Sequence, residues 1–170
     1  MNKRIVIVLC TVITLGLACL GLILWFSSGN VMSKQNINKS FDEITTNPSQ
    51  AVSFVKDLKK TDQSATIVLV KKSCKDCQRN RKAIIKSVKN ARTAGQYVLV
   101  FDADQLSKKQ LDQIVQLVPS LISPNDNRVH TPTFTTVKPV HGKDGTFLMS
   151  TKTLIEGNQN TIQDYFDEIK

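Results

Sequence analysis

The sequence predicts an α/β domain, a mixed sheet flanked by helices on both faces, preceded by one N-terminal transmembrane helix. Three observations carry this reading: an uncharged run over residues 5–26, two short β-branched runs each followed by a helical pattern, and an alternating hairpin followed by an amphipathic helix. The chain has 170 residues, enough for one core and an anchor but too few for two full cores. The organisation expected is an anchor over residues 1–26, a linker over 27–46 and one domain over 47–170.

Residues 5–26 follow Lys3 and Arg4 and end on Trp25 and Phe26. At about 1.5 Å per residue a helix of that length reaches about 33 Å, enough for a hydrocarbon core of about 30 Å. The run is longer than a signal-peptide core of about 7–15 residues. A cleaved signal ending near Ser27 and Gly29, or a lipid-modified Cys19, are the other readings of this stretch. Positive charge precedes the run and none follows it until Lys34, so the N-terminus is expected to stay cytoplasmic. The domain would then be extracytoplasmic at the cell membrane, where disulfides persist. Residues 27–46 are polar and poor in large apolar side chains, the composition of a tether.

Each element of the domain has its own signal. Asn47-Pro48-Ser49 reads as a helix start, with Val52, Val55 and Leu58 at helical spacing behind it. Residues 65–70 (ATIVLV) form an almost wholly apolar run, the pattern of a strand buried on both faces. From Cys77 to Ala91 the pattern is helical, with Cys77, Ile84, Val88 and Ala91 on one face and Gly95 as its stop. Residues 97–101 (YVLVF) read as a second buried strand ending in Asp102-Ala103-Asp104. Ser107 opens a further helix that Pro119 closes, and residues 119–131 read as a long polar loop. Residues 133–138 and 147–156 alternate around a turn at 141–145, and residues 161–169 form the last helix. A strand–helix–strand unit crosses over right-handed and sets its strands parallel, so the hairpin makes the sheet mixed.

Four cysteines are present. Cys10 and Cys19 lie nine residues apart, on opposite sides of a helix, and read as small apolar residues of the anchor. Cys74-Lys75-Asp76-Cys77 sits where the first strand meets a helix. There, free amides and the helix dipole stabilise an anion, and a thiolate in that position can have a pKa of about 3.5–7.5 against about 8.5 for free cysteine. Cys74, at the exposed end, is the expected nucleophile. Cys77, one turn in and on the apolar face, is the expected resolving thiol. A zinc site would need about four ligands, and only His130 and His141 are available to complete one, so no metal and no cofactor is expected. A purely structural bridge across two residues closes a loop too small to contribute much.

At the residue level the CxxC and Thr131-Pro132-Thr133 resemble the thioredoxin superfamily, and residues 47–170 resemble it in order of elements. The resemblance implies a thioredoxin-like fold and thiol–disulfide exchange at Cys74 and Cys77. It also implies that Pro132 is the cis-proline beside the cysteines and that Thr131 offers backbone atoms to a bound substrate strand. The chain departs from the family pattern in three places. Ser73 stands where an aromatic commonly precedes the first cysteine, Lys75-Asp76 fills the dipeptide, and residues 65–70 carry no buried carboxylate. The direction of electron flow is therefore not legible.

Between Lys71 and Arg92 there are nine basic residues and one acid, Asp76, within a net charge of +9. Their spacing of three or four sets Lys72, Lys75, Arg79, Lys82, Lys86 and Lys89 along one stripe. That stripe reads either as a solvated helix face or as a surface for anionic lipid or cell-wall polymer. With few aromatics interleaved, nucleic acid is not an expected partner. Lys72 and Lys75 are expected to tune the Cys74 pKa downward. The sequence thus reads as a membrane-tethered oxidoreductase acting on cysteine-containing exported or cell-surface proteins with a separate redox partner. The rival reading is a non-catalytic thioredoxin-like binding or scaffold module of a secretion or conjugation assembly.

Overall fold

A computed structural model of the chain describes residues 40–169. The expected anchor, and the expected linker up to residue 39, lie outside the described residues. Among the described residues no helix is long and apolar enough to cross a membrane.

Four strands, β1 (Ala65–Val70), β2 (Tyr97–Asp102), β3 (Thr133–Gly142) and β4 (Gly145–Ile155), form one sheet in the order β2-β1-β3-β4. β1 pairs parallel with β2 and antiparallel with β3, and β3 pairs antiparallel with β4. All six residues of β1 are buried, as an apolar run without alternation implies. Its side chains alternate between two cores. Val68 and Val70 pack with α2 (Lys75–Thr93) and α4 (Gln159–Glu168), joined by Phe134, Tyr165 and Phe166. Ile67 and Leu69 pack on the other face with residues of α1 (Ala51–Leu58) and α3 (Lys108–Leu117). The sheet is therefore mixed and covered by helices on both faces.

The local signals in the sequence account for most boundaries. Ser107 caps α3 with a full capping box, its hydroxyl accepting from the Gln110 amide while the Gln110 side chain accepts from the Ser107 amide. Asn47 caps a short 3-10 turn, Pro48–Gln50, that leads into α1. The hairpin strands run further toward the turn than alternation alone predicts, because residues 139–142 and 145–146 continue the ladder past the alternating stretches.

One expectation fails. Residues 40–46, assigned to the linker, belong to the domain. Phe41 and Ile44 are each 1% exposed in the core beneath α2, and burial of such side chains stabilises by roughly 1.5–3 kcal/mol each. The Thr46 amide donates to the Val100 carbonyl at 2.7 Å and its hydroxyl oxygen accepts from the Val100 amide at 3.1 Å. The segment thus covers the outer edge of β2, whose ladder groups would otherwise stay unpaired.

Candidate active site at one end of the sheet

Sheet topology gathers the chemistry. Val70 registers with Asp102 at the C-terminal ends of β1 and β2, and Thr133 at the start of β3 registers with Ile155 at the end of β4. Leu69 registers with Thr133, so all four ends meet on one side of the sheet. The loop before Cys74, the Asp102-Ala103-Asp104 corner, the Thr131–Pro132 segment and the turn at Glu156-Gly157 therefore converge.

Cys74 is the N-cap residue of α2, and its sulfur accepts from the Cys77 amide at 3.4 Å. Its thiol donates to the Thr131 carbonyl at 3.0 Å. The Thr131–Pro132 peptide bond is cis, and Pro132 is buried. The four residues named from the sequence as catalytic or substrate-binding thus come together. Both cysteines are free thiols, Cys74 partly exposed and Cys77 fully buried.

The two thiols are electrostatically unequal. Partial burial pushes Cys74 up, but the Thr131 side chain, the amides of Cys77 and Asp76 and the Cys77 thiol favour the thiolate and outweigh it. Cys74 is left below the ordinary thiol value. Burial pushes Cys77 up to about 12, with the Lys71 amide, which donates to its sulfur at 3.4 Å, offsetting only part of the rise. The neighbouring Cys74 sulfur adds to it. One thiol is set to ionise and meet solvent, and the other to stay protonated beneath it.

The assignment of Lys72 needs correction. Its ammonium is drawn to the Asp42 carboxylate at 2.5 Å and stands 3.8 Å from Asp102. It is thereby committed to carboxylates, and the main downward influences on Cys74 are the short-range donors named above. Lys75 is exposed in the first turn of α2. The basic stripe is likewise partly spoken for. Lys89 pairs with Glu43, Arg79 pairs with Asp76 at 3.1 Å, and Arg92 donates to the Ile44 and Val98 carbonyls. Lys82 and Lys86 remain exposed.

Two residues of the β2 corner hold the loop that presents Cys74, and sequence reasoning gave neither a role. Asp104 accepts from the Ser73 amide at 2.9 Å and from the Ser73 hydroxyl at 3.3 Å. Asp102 is 2% exposed, and its Oδ1 accepts from the Lys72 amide at 3.4 Å and the Asp104 amide at 3.1 Å. Its other oxygen has no hydrogen-bond partner among the described residues. Consecutive amides of one loop therefore serve Cys77 and Asp102. A buried carboxylate thus stands at the end of β2, beside the loop that leads into Cys74. The signal was present: a parallel βαβ unit ends both strands at the same level, so an acid closing the second apolar run must border the loop that follows the first. Among the described residues no cluster of side chains suits a metal ion.

No protein-family model matches the chain, and no curated protein matches its sequence. Among solved structures the chain is similar to a thioredoxin from Thermus thermophilus, with 13% identity over 68% of this chain and 79% of that one at a TM-score of 0.44. A thioredoxin from Aeropyrum pernix shares 15% identity over 74% of this chain and 85% of its own, also at 0.44. Mitochondrial thioredoxin 3 from Saccharomyces cerevisiae shares 16% identity over 68% and 87%, at 0.39.

Proposed function

We propose that this chain is a thiol–disulfide oxidoreductase of the thioredoxin-like kind, tethered to the cell membrane by residues 5–26 and acting on exported or cell-surface proteins. The observation that carries the proposal is the inequality of the two thiols across one helical turn. Cys74 caps the helix with its pKa below the ordinary value, and Cys77 is buried and held near 12.

In the reducing direction the Cys74 thiolate attacks one sulfur of a client disulfide. The Cys74–client S–S bond forms, the client S–S bond breaks, and the departing client sulfur leaves as a thiolate. Cys77 then attacks the Cys74 sulfur and gives its proton to that thiolate. The Cys74–Cys77 bond forms and the second client sulfur is released with the electron pair of the broken mixed disulfide. Two electrons pass to the client, and the reverse sequence oxidises a client dithiol. Thr131 holds Cys74 from the client side, and a separate redox partner resets the pair. The charge asymmetry around residues 5–26 supports an outward-facing domain, and the exposed lysines of α2 support attraction to anionic lipid or cell-wall polymer.

Trapping tests the reading. Cys77→Ala removes the internal resolving thiol, so cells expressing that variant of the full chain should accumulate mixed disulfides visible on non-reducing gels and absent from Cys74→Ser/Cys77→Ala. A lack of Cys74-dependent adducts, while the wild-type pair cycles between redox states, would favour the scaffold reading instead.

A further inference from the structure

His130 lies between two carboxylates, one residue before Thr131. Its Nε2 is 2.7 Å from Asp126 Oδ2 and its Nδ1 is 2.8 Å from Glu156 Oε1. An ionised carboxylate only accepts hydrogen bonds, and a neutral imidazole carries one N–H, so both contacts are satisfied together only by the imidazolium. The ring is pinned from two directions. Asp126 comes from the tip of the 122–131 loop, which is folded back by an Ile122–Val129 bridge and by the Ser123 amide donating to the Arg128 carbonyl at 2.8 Å. Glu156 comes from the turn after β4.

Glu156 is itself unusual. It sits at φ 56, a region that favours glycine, although Gly157 is the next residue. A non-glycine residue there costs roughly 1–2 kcal/mol, and such strain marks positions worth a functional reading. From this position the Glu156 amide donates to the Pro132 carbonyl at 2.9 Å while its carboxylate meets His130. The adjoining Gly157 carbonyl accepts from the Asn80 side chain at 3.0 Å, tying the turn to α2 one turn past Cys77. The Thr133 hydroxyl donates to the His130 carbonyl at 2.9 Å. The Thr131–Pro132 segment is thereby held at His130, at Pro132 and, through Cys74, at Thr131.

We infer that His130 is a positioning residue for the proposed exchange: as an imidazolium gripped by Asp126 and Glu156, it fixes the segment that presents Thr131 to Cys74, and loss of its proton loosens that segment. The inference rests on the oxidoreductase reading for its consequence but not for its geometry. The charged groups facing the ring are Asp126 from its own loop and Glu156 from the β4 turn, while Cys74 of α2 meets the adjoining Thr131. An open cleft of about 520 Å³ bordered by Asp126, His130, Thr153 and Glu156 lets solvent reach the ring.

The sign of the pH effect follows. The Glu156 and Asp126 carboxylates raise the His130 pKa above the ordinary histidine value, and His130 in turn holds Asp126 below the usual carboxylate range. The clamp needs both carboxylates ionised and the imidazole protonated, and its upper limit is the raised value of His130. It is lost as pH rises through that value. Above that point the Thr131 segment is held less firmly beside Cys74, and the surroundings of its thiol change.

The test is a proton NMR titration of the full chain in detergent, where only His130 and His141 supply imidazole signals. His130 should titrate above the ordinary histidine value, and the Thr131, Thr133 and Gly157 amide shifts should follow its midpoint. The pH profile of Cys74 alkylation should carry a second inflection at that midpoint, and His130→Gln should lose it. Glu156→Gln should lower the His130 midpoint. The clamp is overturned if His130 titrates while the three amides stay still, or if wild type and His130→Gln give superimposable profiles. A Cys74 that reacts with alkylating agents but never with disulfides would instead refute the oxidoreductase reading and leave the clamp standing.

Discussion

Reduced chain treated with iodoacetamide should carry label on Cys74 long before Cys77. Cys77 is held near 12, about three units above an ordinary thiol, and Cys74 is shifted to the other side of that ordinary value. At a pH below both values a gap of about three units makes the thiolate fraction of Cys74 on the order of a thousand times larger. A less basic thiolate is also a weaker nucleophile, and a Brønsted slope of about 0.4–0.5 over three units takes back roughly twentyfold. Chemistry alone therefore favours Cys74 by about fiftyfold, and the full burial of Cys77 can only widen the margin. The assay is timed alkylation of the full chain near pH 7.5, acid quenching and peptide mass mapping, which reads Cys10 and Cys19 separately. Labelling of Cys77 within a few-fold of Cys74 would refute the reasoning.

Asp104→Ala should loosen the loop before Cys74 by deleting the acceptor for the Ser73 amide, at a cost of about 1 kcal/mol in urea titrations read by pulse proteolysis. Desolvation pushes the Asp104 carboxyl up, but the backbone and hydroxyl bonds from Ser73 and the Lys71 ammonium together outweigh it and hold the group below its ordinary value. Its contribution is therefore present at neutral pH and lost as pH falls through that lowered value, so wild type and variant should converge in acid. Phe41→Ala should cost about 3–5 kcal/mol by the same assay, as expected for an aromatic 1% exposed in the core. A loss well below 1 kcal/mol would return residues 40–46 to the role of a tether.

The elements with continuous apolar patterns were the legible ones. β1 and β2 announce themselves as ATIVLV and YVLVF, and α3 by Ser107 at its start and Pro119 at its end. The CxxC could be placed at a helix start because a buried strand precedes it and an amphipathic run follows. What stayed illegible depends on partners distant in sequence. Phe41 and Ile44 are isolated apolar residues in a polar stretch, and nothing local says that they reach the core beneath α2. Lys72 is within two residues of Cys74, so proximity in sequence suggested that it acts on the thiol. Its ammonium goes instead to Asp42, thirty residues away. His130 was weighed only as a metal ligand, because its neighbour Glu156 comes from the turn after the far strand of a hairpin, and the sequence does not give that hairpin's register. Asp102 was the nearest miss, since the parallel pairing that places it was itself foreseen.

The central claim is that Cys74 and Cys77 form a reversible dithiol–disulfide couple. Its most direct test is equilibration of the full chain in glutathione buffers of graded ratio, with thiol trapping and mass analysis at each step. A working pair should pass from two free thiols to one Cys74–Cys77 bridge in a single two-electron transition, about 30 mV per tenfold change in equilibrium constant. The transition should be the same from the oxidised and the reduced side. A pair that stays reduced across the whole series, or that collects only glutathione adducts on Cys74 without closing the bridge, would contradict it.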